Sequence, residues 1–193
     1  MSSKINKFLA FDCETSGINF NSLSVAEGYQ MVSVGFIVVN ADTFEAIEEL
    51  YLEIKWNGIA EWSAKAESIH GLSKEYLEKH GKTESEAAEI IALFISKHFG
   101  IDTAISLLGH NVVNFDLVFL KEFLWRNGLP FKFAHRHCET FALSMGTVKA
   151  NDSNEIFEMV GLKKRGKHNA LEDARGSLRF YQIISKMWQK YVG

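Results

Sequence analysis

Residues 7–17, KFLAFDCETSG, begin as an apolar strand and then set Asp12 and Glu14 two positions apart. Side chains at i and i+2 of a strand share a face. Both carboxylates therefore project together from the end of a segment whose neighbours call for burial. Like charges this close raise the pKa of one of them unless a cation stands between. A fold of this chain must either bring the strand end into solvent, where acids are common, or build something around the pair. Cys13 is turned to the opposite face by the same alternation and reads as a small core residue.

The rest of the chain supplies the frame. YQMVSVGFIVVN (29–40) reads as a second strand, NADT (40–43) as a turn, and FEAIEELYLEIKW (44–56) as the returning third strand, so 30–56 is a hairpin. Short helices are predicted over 63–79, broken at Gly71. TESE (83–86) is a capping box with Thr83 as N-cap and Glu86 reaching back; its helix carries Ala87, Ile90, Ile91, Phe94, Ile95 and His98 at helical spacing. A buried strand follows over 104–110, a helix over 114–127 stopped by Gly128 and Pro130, a strand over 131–137, helices over 138–146 and 153–160, and a long final helix from Asn169. Three strands and then alternation of strand and helix predict an α/β fold, a mixed sheet with helices packed on it.

A length of 193 residues suits one domain, 1–193, and 47% apolar residues are ample for its core. The formal net charge of −3 argues against a protein that coats nucleic acid or a membrane through bulk charge, not against an enzyme with a local site. Cys13 and Cys138 form no C-x-x-C, which argues against a disulfide framework or a structural zinc. The absence of a signal-like apolar segment, and of any run near the roughly 20 residues that span a bilayer, gives a cytoplasmic, intracellular expectation.

Two more acids stand where core residues belong. On a helical wheel of residues 115–127, Lys121, Glu122 and Arg126 take one side, and Leu117, Phe119, Leu120, Phe123 and Leu124 the other. Asp116 falls within the apolar arc. Complementing the helix dipole explains an exposed acid in a first turn better than one on the core face. In GKHNALEDARGSLRF, Asn169 and Glu172 fit a capping box, so the last helix starts at Ala170 with a core stripe of Leu171, Ala174, Leu178, Tyr181, Ile184 and Trp188. Asp173 borders that stripe. His168 and Asp173 occupy the two positions that meet in a hydrophobic staple, which sets an imidazole beside a carboxylate. Gly176 and Ser177 are expected to let this helix approach the sheet.

Asp12, Glu14, Asp116 and Asp173 thus look inward from three elements. Oxygen-rich clusters suit hard cations such as Mg²⁺ or Mn²⁺, and pairs of such ions drive in-line displacement at a phosphodiester. His168, with a reference pKa near 6.5, suits a general base beside them. FDCETSG, NFDLVFL and HNALEDARG together resemble the three motifs of the DEDDh, DnaQ-like 3′→5′ exonucleases, with Asp12, Glu14, Asp116, His168 and Asp173 at the five positions. ESIHGLS (67–73) and CETFALS (138–144) are similar to softer segments of that family, and the resemblance runs over about residues 8–185.

The resemblance implies an RNase H-like fold, a five-stranded mixed sheet with its first three strands antiparallel. It implies two Mg²⁺ or Mn²⁺ ions: Asp12, Glu14 and Asp173 on the first, Asp12 bridging to the second, and Asp116 completing the site. His168 takes a proton from the nucleophilic water, and a nucleoside 5′-monophosphate leaves the 3′ end, with single-stranded DNA or DNA ends as the expected substrate. Thr15, Ser16, His70, Asn111 and Lys167 are implied to face the substrate. The departures are Ser33 ahead of Val34-Gly35, where a polar or acidic residue often precedes the glycine, and Glu139 where Asp is usual; neither carries the chemistry. The segment 18–29 exceeds a tight turn and lies where it can shape substrate choice. KKRGKH (163–168) either meets the nucleic-acid backbone or is a solvated loop. Phe20 and Phe115 are candidates for stacking on bases, while His80, His110, His135 and His137 read as structural or surface residues. The same chemistry on RNA or very short oligoribonucleotides is the alternative, and a catalytically silent nucleic-acid-binding or polymerase-docking module the third reading. A polymerase partner and the choice between monomer and homodimer are not legible.

Overall fold

The structure, a computed structural model, describes residues 5–150, 152–162 and 166–192. Strand β1 (Lys7–Thr15) pairs antiparallel with β2 (Met31–Asn40), which pairs antiparallel with β3 (Ala46–Glu53). β2 is buried at every position but its last, because it has a strand on either side and helices over both faces. The hairpin is followed by α1 (Ala64–His70), α2 (Lys74–His80) and α3 (Glu84–Phe99). Gly71 ends α1 in the left-handed conformation at φ 77°, where glycine carries no Cβ penalty. The Thr83–Glu86 capping box is formed in both directions at the start of α3.

The predicted strand over 104–110 is two strands. β4 (Ala104–Ile105) pairs with β6 (Lys132–Phe133) in a small separate sheet, and β5 (Leu107–Gly109) joins β1 in parallel. The chain turns at Ser106, whose carbonyl accepts from Leu9, while the Leu107 N–H donates to His137 Nδ1. The fifth strand of the main sheet is accordingly not the expected 131–137 but β7 (Cys138–Glu139), parallel to β5. The sheet order is β3-β2-β1-β5-β7, mixed and five-stranded as expected.

Alternation along β1 sorts its residues onto two cores. Leu9, Phe11 and Cys13 pack with α3 and with α4 (Asp116–Arg126), through Ile91, Phe94, Leu120 and Phe123 among others. Phe8 and Ala10 pack on the other face against Ala174 and Leu178 of α7 (Ala170–Val192). Helices α5 (Thr140–Thr147) and α6 (Ser153–Met159) lie between β7 and α7, with Ile156 and Phe157 of α6 packed on Phe180.

The close approach of α7 to the sheet is made by the sheet. A Cβ at Gly35 of β2 would stand 2.3 Å from the Leu171 nitrogen, so the main chain of α7 lies directly on the strand. Gly176 serves a different neighbour: a Cβ there would meet the Phe157 ring of α6 at 2.2 Å. The core stripe of α7 also ends earlier than the periodicity suggests. Ile184 is half-buried and Trp188 is 69% exposed, because the helix runs past the layer it covers. Among the described residues, no helix is long and apolar enough to cross a membrane.

Candidate active site

The site sits at the end of β1, beside the carboxyl ends of the parallel strands β5 and β7, where open α/β sheets usually bind ligands. Asp12 and Glu14 lie opposite Gly35 and Ser33 of β2 and share the face of Phe8 and Ala10, the face that α7 covers. Glu14 is only 8% exposed. The strand end is therefore roofed by the start of a helix and not released into solvent.

That helix start delivers the histidine–aspartate pair. Asn169 caps α7, its Oδ1 accepting from the N–H groups of Leu171 and Glu172 at 3.1 and 3.2 Å, while Asp173 N donates to the Asn169 carbonyl. The Glu172 carboxylate pairs with Arg175. His168 Nδ1 lies 3.1 Å from Asp173 Oδ2, the side-by-side placement expected from the staple positions, and Asp173 is 5% exposed. The His168 N–H donates to the Ile69 carbonyl of α1 at 3.0 Å, so this residue is tied to two helices. Glu14, His168 and Asp173 each offer a ligand atom within 4.8 Å of the others.

Asp116 arrives from the opposite face of the sheet. It is the first residue of α4, and its Oδ1 accepts from the backbone N–H of Cys13 at 2.9 Å. Cys13 packs in the core, yet its main-chain N–H and its thiol both meet Asp116 and it lies on the cavity wall, a role that alternation alone does not show. Asp116 is 3% exposed, and burial pushes its carboxyl up from 3.8 to about 8, against the lowering effect of the Cys13 hydrogen bond.

Asp12, Glu14, Asp116, His168 and Asp173 line a single cavity of about 570 Å³. Thr15, His70 and Asn111 line it as well. His70 is buried at the end of α1, and Leu72 N donates to its Nδ1 at 3.0 Å, which places the ring proton on Nε2. Burial lowers the pKa of this imidazole, opposed by the backbone of Thr15, so the ring is neutral. Two of the expected substrate residues lie elsewhere. Ser16 is fully buried: its N–H and carbonyl bond Gln30 and Ser63, and its hydroxyl accepts from Gln30 N, so it braces the exit of β1 against α1. Lys167 donates to the Ser68 carbonyl on the outer side of α1, in a groove shared with Trp62, Glu67 and Gly71. Lys163, Lys164 and Arg165 of the basic stretch lie outside the described residues.

The cavity wall also holds His110 at the end of β5, Lys65 and Ile69 on α1, Phe157 on α6, and both Phe20 and Phe115. His110, read from sequence as structural, was betrayed only by its place one step past an apolar strand. The run Lys65, Ala66, Ile69 and His70 has one-face helical spacing, a signal that was available. Phe20 is 82% exposed on a loop held by an internal bond, Asn19 N to the Val25 carbonyl, and by a bond to α4, from the Ser24 hydroxyl to the Glu122 carboxylate.

A protein-family model described as Exonuclease (RNase_T) matches residues 9–181. A curated protein named 3′-5′ DNA exonuclease Cap18, from Escherichia coli, is 27% identical over 188 residues, which are 95% of this chain and 94% of that protein. Among solved structures, the zinc-bound E. coli exonuclease I complex with single-stranded DNA superposes with a TM-score of 0.78 over 95% of this chain at 15% identity. Its complex with a dT13 oligonucleotide gives 0.77 over 97% at 14% identity. This chain spans 41–42% of those exonuclease I chains, and the likeness is one of fold.

Proposed function

Because this chain belongs to the Exonuclease (RNase_T) family, we propose that the cavity at the end of β1 removes nucleotides from the 3′ end of single-stranded DNA, with the whole chain serving as one exonuclease domain. The chain is a DEDDh-type 3′→5′ exonuclease, a hydrolase of phosphodiester bonds, and its family depends on divalent metal. The observation that carries the finer reading is the convergence of Asp12, Glu14, Asp116 and Asp173 with the His168–Asp173 pair on one cavity.

The donor set fits a hard divalent cation: it is all carboxylate oxygen, and the buried Asp116 ionises readily only with positive charge beside it. Asp12, Glu14, Asp116 and Asp173 would hold Mg²⁺ or Mn²⁺, as a pair of ions, which supplies Lewis-acid stabilisation of the phosphodiester during in-line displacement. With His168 Nδ1 turned to Asp173, the neutral ring donates there and presents its Nε2 lone pair for the proton of the attacking water. Asp173 fixes that tautomer and steadies the imidazolium that follows. Water attacks phosphorus, the bond to the 3′ oxygen of the penultimate sugar breaks, and a nucleoside 5′-monophosphate leaves. Phe20 and Phe115 supply stacking faces for the last bases, and His70 and Asn111 border the terminal nucleotide.

DNA is favoured over RNA as substrate because the curated relative that shares nearly its full length with this chain is named a DNA exonuclease. The test is a 5′-labelled and a 3′-labelled oligonucleotide incubated with Mg²⁺. A descending ladder from the first and mononucleotide from the second are expected, with both lost in EDTA and in Asp12→Ala. Equal cleavage by wild type and Asp12→Ala, indifferent to EDTA, overturns the reading.

A further inference from the structure

The loop between β5 and α4 and the first residue of α4 carry four cavity residues, His110, Asn111, Phe115 and Asp116, in eight positions from Gly109. Asn111 is left-handed at φ 58°, so the loop needs support from outside itself. The support comes from β7. Glu139 accepts from two successive amides, Val112 N to Oε2 at 3.2 Å and Val113 N to Oε1 at 2.9 Å. Its neighbour Thr140 donates its hydroxyl to the Gly109 carbonyl at 3.0 Å. A carboxylate gripping consecutive N–H groups makes charge-assisted bonds, roughly twice as strong as neutral ones. Leu117 N bonds back to the Val112 carbonyl, which passes the constraint into the first turn of α4. Asp116 is then held from two strands, by Cys13 on β1 and through the loop by Glu139 on β7.

We propose that Glu139 is a positioning residue for Asp116, setting the place of that ligand by clamping the Val112 and Val113 amides. The glutamate is suited to this: an aspartate on the same backbone would reach about 1.5 Å less, too short to keep both bonds without moving β7. The proposal rests on the reading of Asp116 as a metal ligand.

The test is Glu139→Gln, which keeps size but sets an NH₂ group against one of the two N–H donors, with Glu139→Asp and Asp116→Ala alongside. For Glu139→Gln we expect a kcat lower by about 10–100-fold, as for outer-shell partners of ligands, with a smaller change in KM for the oligonucleotide, since Asn111 borders the clamped amides. The Mn²⁺ concentration at half-maximal rate should rise. The Tm gain that Mn²⁺ gives the protein without substrate should shrink, and amide exchange over residues 110–116 should quicken. Glu139→Asp should fall between. Wild-type kcat and metal midpoint in Glu139→Gln, a loss confined to KM, or a loss with unchanged exchange at 110–116 each overturn the positioning role. Full activity in Asp116→Ala sinks the ligand reading instead, whereas an inactive Asp116→Ala beside a normal Glu139→Gln sinks only the role of Glu139.

Discussion

Asp116 shows what a site of this kind does to one residue. Folding takes its carboxyl out of water and raises its pKa from 3.8 to about 8, so the native state binds the proton more tightly than the unfolded chain. Stability of the metal-free protein therefore falls as pH climbs from about 4 towards about 8. Asp116→Asn keeps an acceptor for Cys13 N and removes the charge. In EDTA it should raise Tm at pH 8 by on the order of 10 °C, since the rise from 3.8 to about 8 is worth roughly 5 kcal/mol at about 2–4 °C per kcal/mol for a chain this size, and the gain should vanish towards pH 4. Scanning calorimetry at both pH values checks this, and a gain that grows on acidification contradicts it. His168→Ala should lower kcat by about 10²–10⁴-fold, the usual worth of a general base, while Mn²⁺ still raises Tm; near-normal turnover at pH 7 rules the base role out. These acids were legible in the sequence because charge on an apolar face is conspicuous. That Ser16 and Lys167 lie off the cavity wall was not legible, because a hydroxyl or an ammonium shows nothing in sequence of the Gln30 amide or the Ser68 carbonyl it will meet.

Among the elements, those with local signals read cleanly. The capping box of α3 and the left-handed glycine after α1 stand where the sequence puts them, since each is a transaction between residues a turn apart. The fifth strand was misplaced because β6 and β7 have two residues each and are defined by distant partners, Ala104–Ile105 and Leu108–Gly109; neither has room for a periodicity. Gly35 depends in the same way on something far off in sequence, the backbone of Leu171. Gly35→Ala should force α7 off β2, with overpacking of about 1–3 kcal/mol. Because α7 carries Asp173 and follows His168, activity should fall more than stability does. Urea melts read beside kcat measure this, and unaltered kcat in a destabilised variant refutes the link.

Across the molecule, helices on both faces of a mixed sheet were legible from the order of elements, and the sheet order β3-β2-β1-β5-β7 agrees. The cavity wall was less so, as it gathers the 18–20 loop, α1, the β5–α4 loop, α6 and α7. A space of about 570 Å³ is in the range of small-molecule pockets and suits a terminal nucleotide, not a duplex. Single-stranded DNA should be degraded faster than a blunt duplex of the same sequence, by at least the cost of fraying a base pair, on the order of tenfold per 1.4 kcal/mol of stacking lost. Equal rates at low temperature count against it. The hydrogen bond from His168 N to the Ile69 carbonyl, with Lys167 on Ser68, has a consequence for redesign. The wall that would be altered to change substrate choice is fastened to the residue proposed to take the proton. Transplanting α1 from a homologue therefore imports a new seat for the base, and a specificity exchange must carry residues 64–70 and 166–169 across as one cassette.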